Sequence, residues 1–113
     1  MLKIYHNNRC GKSRECLKIL EDKEIDFQEF HYLTEPISEK EIKDLLKKLK
    51  MKPLDIIRQK ETIFIEKYKG KTLTDNEWIQ AMIANPILIE RPIVIGDNWA
   101  VVARPPEIVL QFI

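Results

Sequence analysis

Cys10 is the residue of this sequence best suited to nucleophilic chemistry. It stands just before Gly11, where the pattern predicts the start of a helix, and the unpaired N–H groups and positive dipole of a helix start favour an anion. A thiolate is such an anion, and a cysteine in this setting has a lowered pKa. His6, Arg9 and Lys12 lie within a few residues and are expected to add positive charge. Because its neighbours are polar, we predict a reactive nucleophile and not an inert core cysteine.

The second cysteine, Cys16, is predicted to be a core residue. It shares the apolar side of the same helix with Leu17 and Leu20. Six residues of helix rise about 9 Å, whereas the Cα atoms of a disulfide lie at most about 7 Å apart. Ser13 occupies the position three after Cys10, so there is no Cys-x-x-Cys pair. The substrate or an external thiol must therefore supply the partner of Cys10.

Three arginines could form an anion site beside this thiol. Arg58 closes a short helical segment, and Arg91 and Arg104 each stand directly before a proline. Guanidinium groups bind tetrahedral oxyanions through planar pairs of N–H donors. Taken singly, each arginine is better explained as a solvated surface charge, and composition alone cannot bring the three together.

The elements that must position these residues follow a thioredoxin-like α/β plan, with the order β-α-β / β-β-α and a helical insert. Strand patterns occupy residues 2–5, 26–32, 92–95 and 99–103. Helical patterns of the core occupy residues 11–22 and the segment that begins at residue 105. In this plan the segment before the third strand runs beside the redox cysteine. Arg91 is therefore expected near Cys10, and Arg104 at the end of a neighbouring strand.

The helical insert is predicted between the two halves of the core. Capping boxes begin two of its helices, at Ser38–Glu41 and Thr74–Glu77, and Pro53 begins a shorter helical piece. The segment 62–68 fits a helix or a strand, and Asn85-Pro86 ends the last helix. No flexible linker occurs. We predict one domain, 1–113, divided into a core of residues 1–36 and 86–113 and an insert of residues 37–85.

Composition argues against several classes of function. The chain has 19 basic and 18 acidic residues and a net charge of +1, which gives no support for a nucleic-acid or membrane surface. No apolar stretch is long enough to span a membrane, and the first residues lack a signal-peptide pattern, so a cytoplasmic protein is expected. Two cysteines and two histidines lack the spacing of a zinc site, and no bound cofactor or metal is expected.

Three blocks of sequence resemble the ArsC family of glutaredoxin-coupled arsenate reductases. They are His6-Asn7-x-x-Cys10-Gly11-x-Ser13-Arg14, Asn85-Pro86-Ile87-Leu88-Ile89-x-Arg91-Pro92-Ile93-Val94, and Arg104-Pro105. The resemblance extends over essentially the whole chain, with the blocks in the right order. It implies that Cys10 is the nucleophile and that His6 favours its thiolate. It further implies that Arg58, Arg91 and Arg104 hold the oxyanion.

The same resemblance implies a mechanism and its co-substrates. The Cys10 thiolate attacks arsenate and displaces hydroxide, glutathione attacks next, a glutaredoxin reduces the mixed species, and arsenite leaves. Glutathione is thus a co-substrate and glutaredoxin a partner. In thioredoxin-like proteins the proline at the position of Pro92, which here follows Arg91, is commonly cis.

Two alternative functions stay open. One is a regulator of the related Spx type, which binds RNA polymerase and senses oxidants through its cysteines. Ser13 stands where that type carries a second cysteine, which argues against it. The other is a glutathione-dependent thiol oxidoreductase, which would need Cys10 but neither Arg91 nor Arg104.

Overall fold

A four-stranded mixed sheet organises the part of the chain that carries Cys10. The computed structural model describes residues 1–113, and its strands are β1 (Leu2–Tyr5), β2 (Phe27–Phe30), β3 (Ile93–Ile95) and β4 (Ala100–Val102). Their order across the sheet is β2-β1-β3-β4, in which β1 and β2 are parallel and the other two pairs antiparallel. The predicted β-α-β / β-β-α order of a thioredoxin-like fold is confirmed. The predicted strands 26–32 and 99–103 are shorter in the structure.

The chain divides into two compact units. The first consists of Met1–Glu35 with Arg91–Ile113, and the second is Pro36–Glu90. The sheet belongs wholly to the first unit, and the second unit has no strand of its own. That the two units form one domain stays a prediction. No helix of the chain combines the length and the apolar character that crossing a membrane requires.

In the first unit, helix α1 (Gly11–Asp22) covers the sheet with one apolar face. Cys16 and Leu20 of this face are fully buried against Ile4 and Val94 of the strands and against Val109. Burial of a side chain such as leucine stabilises the fold by about 1.5–3 kcal/mol. Val109 belongs to the closing segment Pro106–Gln111, which forms a 3-10 helix that packs on α1. This packing fixes the start of α1, and with it Cys10, at one edge of the sheet.

The second unit is helical. It contains α2 (Glu39–Leu49), α3 (Thr62–Lys67), α4 (Asp75–Ala84) and the 3-10 helices Pro53–Ile56 and Pro86–Leu88. Both predicted capping boxes are present, because Ser38 and Thr74 each accept a hydrogen bond from the backbone N–H three residues on. The ambiguous segment 62–68 is mainly α-helical. Its Phe64 is buried and stacks on Trp78, with ring centroids 5.9 Å apart, so tertiary packing decides between the two patterns.

Candidate active site

Strand register brings three chain segments to one edge of the sheet. Tyr5, the last residue of β1, pairs with Ile93, the first residue of β3, and Ile93 pairs with Val102, the last residue of β4. The loop after β1, the residues before β3 and the residues after β4 therefore meet at this edge. Arg91 and Arg104 flank the β3–β4 hairpin and lie there together. The thioredoxin-like plan predicts Arg91 near Cys10 and Arg104 at the end of a neighbouring strand, and in the structure the Nη1 of Arg104 lies 3.7 Å from the Sγ of Cys10.

Cys10 caps the N-terminus of α1. Its backbone is extended, with φ −95° and ψ 121°, and its N–H donates to the carbonyl of Asn7 at 3.0 Å. Its own carbonyl accepts the first helical hydrogen bond, from the N–H of Arg14 at 3.1 Å. The side chain is half-buried. The loop thus fixes the thiol at the helix start while leaving it open to solvent and reagents.

The pKa of Cys10 lies below its ordinary value. Partial burial opposes ionisation and would raise the pKa, but other groups outweigh it. The backbone N–H groups of Ser13 and Lys12 lower the pKa, although neither forms a well-aligned cap hydrogen bond with the sulfur. The guanidinium groups of Arg91 and Arg104 lower it as well. The thiolate is therefore favoured by a helix start and two cations.

Arg104 links the thiol to the segment before β3. Its Nη1 donates to the Sγ of Cys10 at 3.7 Å and to the carbonyl of Arg91 at 3.1 Å. Its Nε and Nη2 form no hydrogen bond with the protein, so one edge of the guanidinium is free for a ligand. The Arg91–Pro92 and Arg104–Pro105 bonds are both cis. The arrangement offers an anion a planar pair of donors next to a nucleophilic sulfur.

The charge expected from Arg9 and Lys12 does not act on the thiol. Both side chains are exposed, and the ammonium of Lys12 pairs with Glu15 at 3.7 Å. Lys12 acts on Cys10 through its backbone N–H and not through its ammonium. That part of the expectation is wrong, because both charged groups are exposed to solvent, which screens them, and the ammonium of Lys12 is paired with a carboxylate.

His6 is buried, with 3% of its surface exposed, and is tied to Ser13 by a 2.6 Å contact between Nδ1 and Oγ. Burial lowers the pKa of His6, and the nearby carboxylate of Glu29, 3.9 Å from Nε2, only partly opposes this. The ring is therefore mostly neutral at neutral pH, and the expectation that it adds positive charge is wrong. A catalytic role for His6 stays a prediction.

Ser13 is a member of the site that the sequence reasoning missed. It is fully buried, its Oγ accepts the N–H of Asn7 at 3.1 Å and contacts His6, and its backbone N–H faces the Cys10 sulfur. It therefore holds the loop and the helix start together. The sequence carries only a weak signal for this role, a serine in the first turn of a helix beside a loop rich in asparagine, because the burial of Ser13 depends on the folded loop. From the sequence, Ser13 indicates only the absence of a second cysteine.

The structure confirms that Cys16 is a core residue. No part of it is exposed, and burial raises the pKa of its thiol to about 12. At neutral pH it is an un-ionised apolar group. No cluster of three or more His, Cys, Asp or Glu side chains in the chain forms a metal site.

Arg58 belongs to the second unit, where two carboxylates hold it. Its Nε donates to Glu61 at 3.2 Å and its Nη1 to Glu90 at 3.1 Å. Its backbone N–H donates to the carbonyl of Leu88 at 2.7 Å. These contacts join the segment after the 3-10 helix Pro53–Ile56 to the end of the unit. The role of Arg58 as an oxyanion ligand stays a prediction.

The fold and these contacts define a thioredoxin-like protein with one accessible thiol beside two guanidinium groups. The sequence profile of the ArsC family matches residues 5–112, so the chain belongs to the ArsC family.

Several similar proteins cover nearly the whole chain. A protein of Escherichia coli named "Uncharacterized protein YfgD" is 41% identical over 99% of this chain and 96% of its own length. An arsenate reductase of Haemophilus influenzae is 40% identical over 97% of both chains. The solved structure of an arsenate reductase from Vibrio cholerae is 39% identical and has a TM-score of 0.94. The match covers 99% of this chain and 97% of that structure.

Proposed function

We propose that this protein is an arsenate reductase that receives its electrons from glutathione through a glutaredoxin. The observation that carries the proposal is the half-buried Cys10 thiol of lowered pKa, with Arg91 and Arg104 at its side. The names of relatives about 40% identical support arsenate as the substrate. The cytoplasm, where thiols are kept reduced, is the matching compartment.

The first step is binding of arsenate between the arginines and the thiol. Two anions repel at contact, so a thiolate attacks an oxyanion only where cations offset the substrate's charge. The free edge of Arg104 offers two donors to arsenate oxygens, and Arg91 adds a second positive charge. By motif position Arg58 is the third ligand. The helix-start N–H groups keep the sulfur ionised while the substrate binds.

The second step is attack of the Cys10 thiolate on arsenic. A sulfur–arsenic bond forms, an arsenic–oxygen bond breaks, and the departing hydroxide leaves as water after protonation. Glutathione then displaces another oxygen in the same way. A glutaredoxin thiolate attacks the glutathione sulfur and forms a mixed disulfide. The electron pair of the broken bond stays on arsenic, which passes from As(V) to As(III). Hydrolysis of the remaining sulfur–arsenic bond releases arsenite and restores the thiolate.

The test is arsenate-dependent NADPH oxidation coupled through glutathione, glutathione reductase and glutaredoxin. Cys10→Ser should abolish the activity. Arg91→Ala and Arg104→Ala should each lower it by about 100-fold, the typical effect of removing one group that stabilises an oxyanion. Arg9→Ala is the matched control, since it removes a nearby arginine that does not act on the thiol, and it should retain the wild-type rate.

Three results would each overturn a different part of the proposal. A wild-type protein without arsenate turnover would refute the substrate. Reduction of hydroxyethyl disulfide at an undiminished rate by both arginine variants, without arsenate turnover in the wild type, would identify a thiol oxidoreductase instead. Equal turnover with thioredoxin and thioredoxin reductase in place of glutathione and glutaredoxin would refute the electron donor while leaving the substrate intact.

A further inference from the structure

A lysine-rimmed groove lies in the second unit, and none of the residues that line it is named in the mechanism. Its volume is about 630 Å³, and it is formed by α2, the segment that follows it, and the first half of α4. Four lysines line it, namely Lys43, Lys47, Lys50 and Lys52. A space of this size accommodates several side chains of a bound peptide.

The groove is positively charged. The residues that line it include four lysines and two aspartates, a net charge of +2, whereas the whole chain carries +1. Lys47, Lys50 and Lys52 are exposed and form no ion pair with the protein. Lys43 meets Glu39 at 3.7 Å, and both of these side chains are well exposed. Such exposed pairs are weak and are readily exchanged for another partner.

The two acidic residues of the groove lie in the first turns of helices. The Asp55 carboxylate accepts the backbone N–H of Lys52 at 3.0 Å, at the start of the 3-10 helix Pro53–Ile56. Asp75 lies in the first turn of α4, where the helix dipole favours a negative charge. Both carboxylates keep their negative charge, so the four lysines outnumber them by two, and this excess of positive charge favours an external anion.

The floor of the groove is apolar. Leu46, Pro53 and Ile79 are buried there, and Met51 stands between two of the lysines with 42% of its surface exposed. A flexible thioether suits a surface that adapts to a partner's apolar side chains. An occupant that matches both features carries carboxylates for the rim and apolar side chains for the floor.

We propose that this groove docks an acidic, partly apolar segment of a partner protein. Exposed ammonium groups are strongly hydrated and do not form the bidentate fork that captures a small oxyanion. The groove also lacks aromatic side chains on which nucleic-acid bases could stack. Complementary charge speeds the encounter and orients the segment, while the apolar contacts hold it. The inference is independent of the proposed function.

Fluorescence anisotropy of short fluorescein-labelled peptides tests the docking. One peptide alternates Glu with Leu and Phe, and two others replace every Glu by Gln or by Lys. The acidic peptide should bind to the full chain at least about tenfold more tightly than the Gln peptide, with affinity that falls as salt is added. The Lys peptide should not bind. Equal binding of the acidic and Gln peptides, or no binding of the acidic peptide, would overturn the proposal.

Variants locate the binding. Lys47→Glu with Lys50→Glu should weaken binding of the acidic peptide by at least about tenfold. Met51→Ser should weaken its binding by less. Lys69→Glu with Lys71→Glu changes the charge equally at exposed positions outside the groove and should have little effect. Equal losses in both double variants would show a non-specific charge effect. Displacement of the peptide by inorganic phosphate at low concentration would show a small-anion site instead. Stronger binding of a single-stranded oligonucleotide than of the acidic peptide would also refute the assignment.

Discussion

Helix α1 and its N-cap hold both cysteines of the chain, and the surroundings of the N-cap and of the second turn shift their pKa values in opposite directions. Cys10 stands at the N-terminus, where backbone N–H groups and two guanidiniums lower its pKa. Cys16, in the second turn, is fully buried, and burial raises its pKa to about 12. The two residues have the same chemistry and lie six positions apart. Thiol reactivity here is set by the groups around the sulfur, and those come from position along the helix and from distant strands.

The largest expected difference between the two thiols is their rate of alkylation. In the folded protein at neutral pH, iodoacetamide should modify Cys10 at least about 100-fold faster than Cys16, because the thiolate is the reacting form and Cys16 is both un-ionised and covered. Peptide mass mapping after timed quenching measures both rates in one sample. In denaturant the two rates should become similar. Comparable rates in the folded state would contradict the comparison.

When each cysteine is replaced by serine, the larger loss of stability is expected at Cys16. Cys16→Ser buries a hydroxyl without a matching partner and should lower the free energy of unfolding by about 1–3 kcal/mol. Cys10→Ser is the matched control and should change it by less than about 0.5 kcal/mol, since the side chain is half-exposed. Urea denaturation curves give both values. An equal loss in the two variants would mean that the active-site loop depends on the Cys10 sulfur for its fold.

Removing a guanidinium should reduce the difference in pKa between Cys10 and Cys16. Arg104→Ala should raise the pKa of Cys10, because a cation that favours the thiolate is lost. The alkylation rate of Cys10 below its pKa should then fall several-fold. A series of rates against pH for the wild type, Arg104→Ala and the control Arg9→Ala measures this shift. An unchanged profile in Arg104→Ala would leave the helix start and Arg91 as the sources of the low pKa.

The smallest expected effect concerns His6, whose contact with Ser13 supports the helix start. Its folded-state pKa lies below 6.5 because burial disfavours the charged ring, so the unfolded chain binds more protons in that range. The contribution of His6 to the free energy of unfolding should therefore be fully present above about pH 7 and decline as the pH falls through 6.5 and below. Denaturation curves at several pH values measure the slope, which should be reduced in His6→Gln. If that variant does not fold, NMR titration of the His6 ring provides the same test, and a ring pKa at or above 6.5 would contradict it.

Local patterns predicted most of the elements. Alternation in short apolar segments located the strands, and the capping boxes at Ser38 and Thr74 located two helix starts. The residues that make up each of these signals lie close together in the sequence, so the signals can be recognised without the structure. The segment 62–68 was ambiguous because its outcome depends on the burial of Phe64 against Trp78, which is a contact between separate helices.

The surroundings of the thiol were harder to predict. Arg9 and Lys12 are close to Cys10 in sequence, yet the guanidiniums that act on it are Arg91 and Arg104, the latter 94 positions away. Only the strand register brings them together, and the resemblance to a family supplied that information where composition could not. The buried position of Ser13 likewise depends on how the loop folds back on α1.

The hydrogen bonds of Arg104 have a consequence for competition among anions in the cell. Its Nη1 is already used by the Cys10 sulfur and the Arg91 carbonyl, so only the Nε–Nη2 edge is left for a ligand. An anion with two oxygens on one side satisfies both donors of that edge at once, whereas a spherical ion such as chloride meets them at a single centre. At the proposed oxyanion site, chloride is therefore a weak competitor, and a scarce oxyanion can bind without first displacing a tightly bound ion.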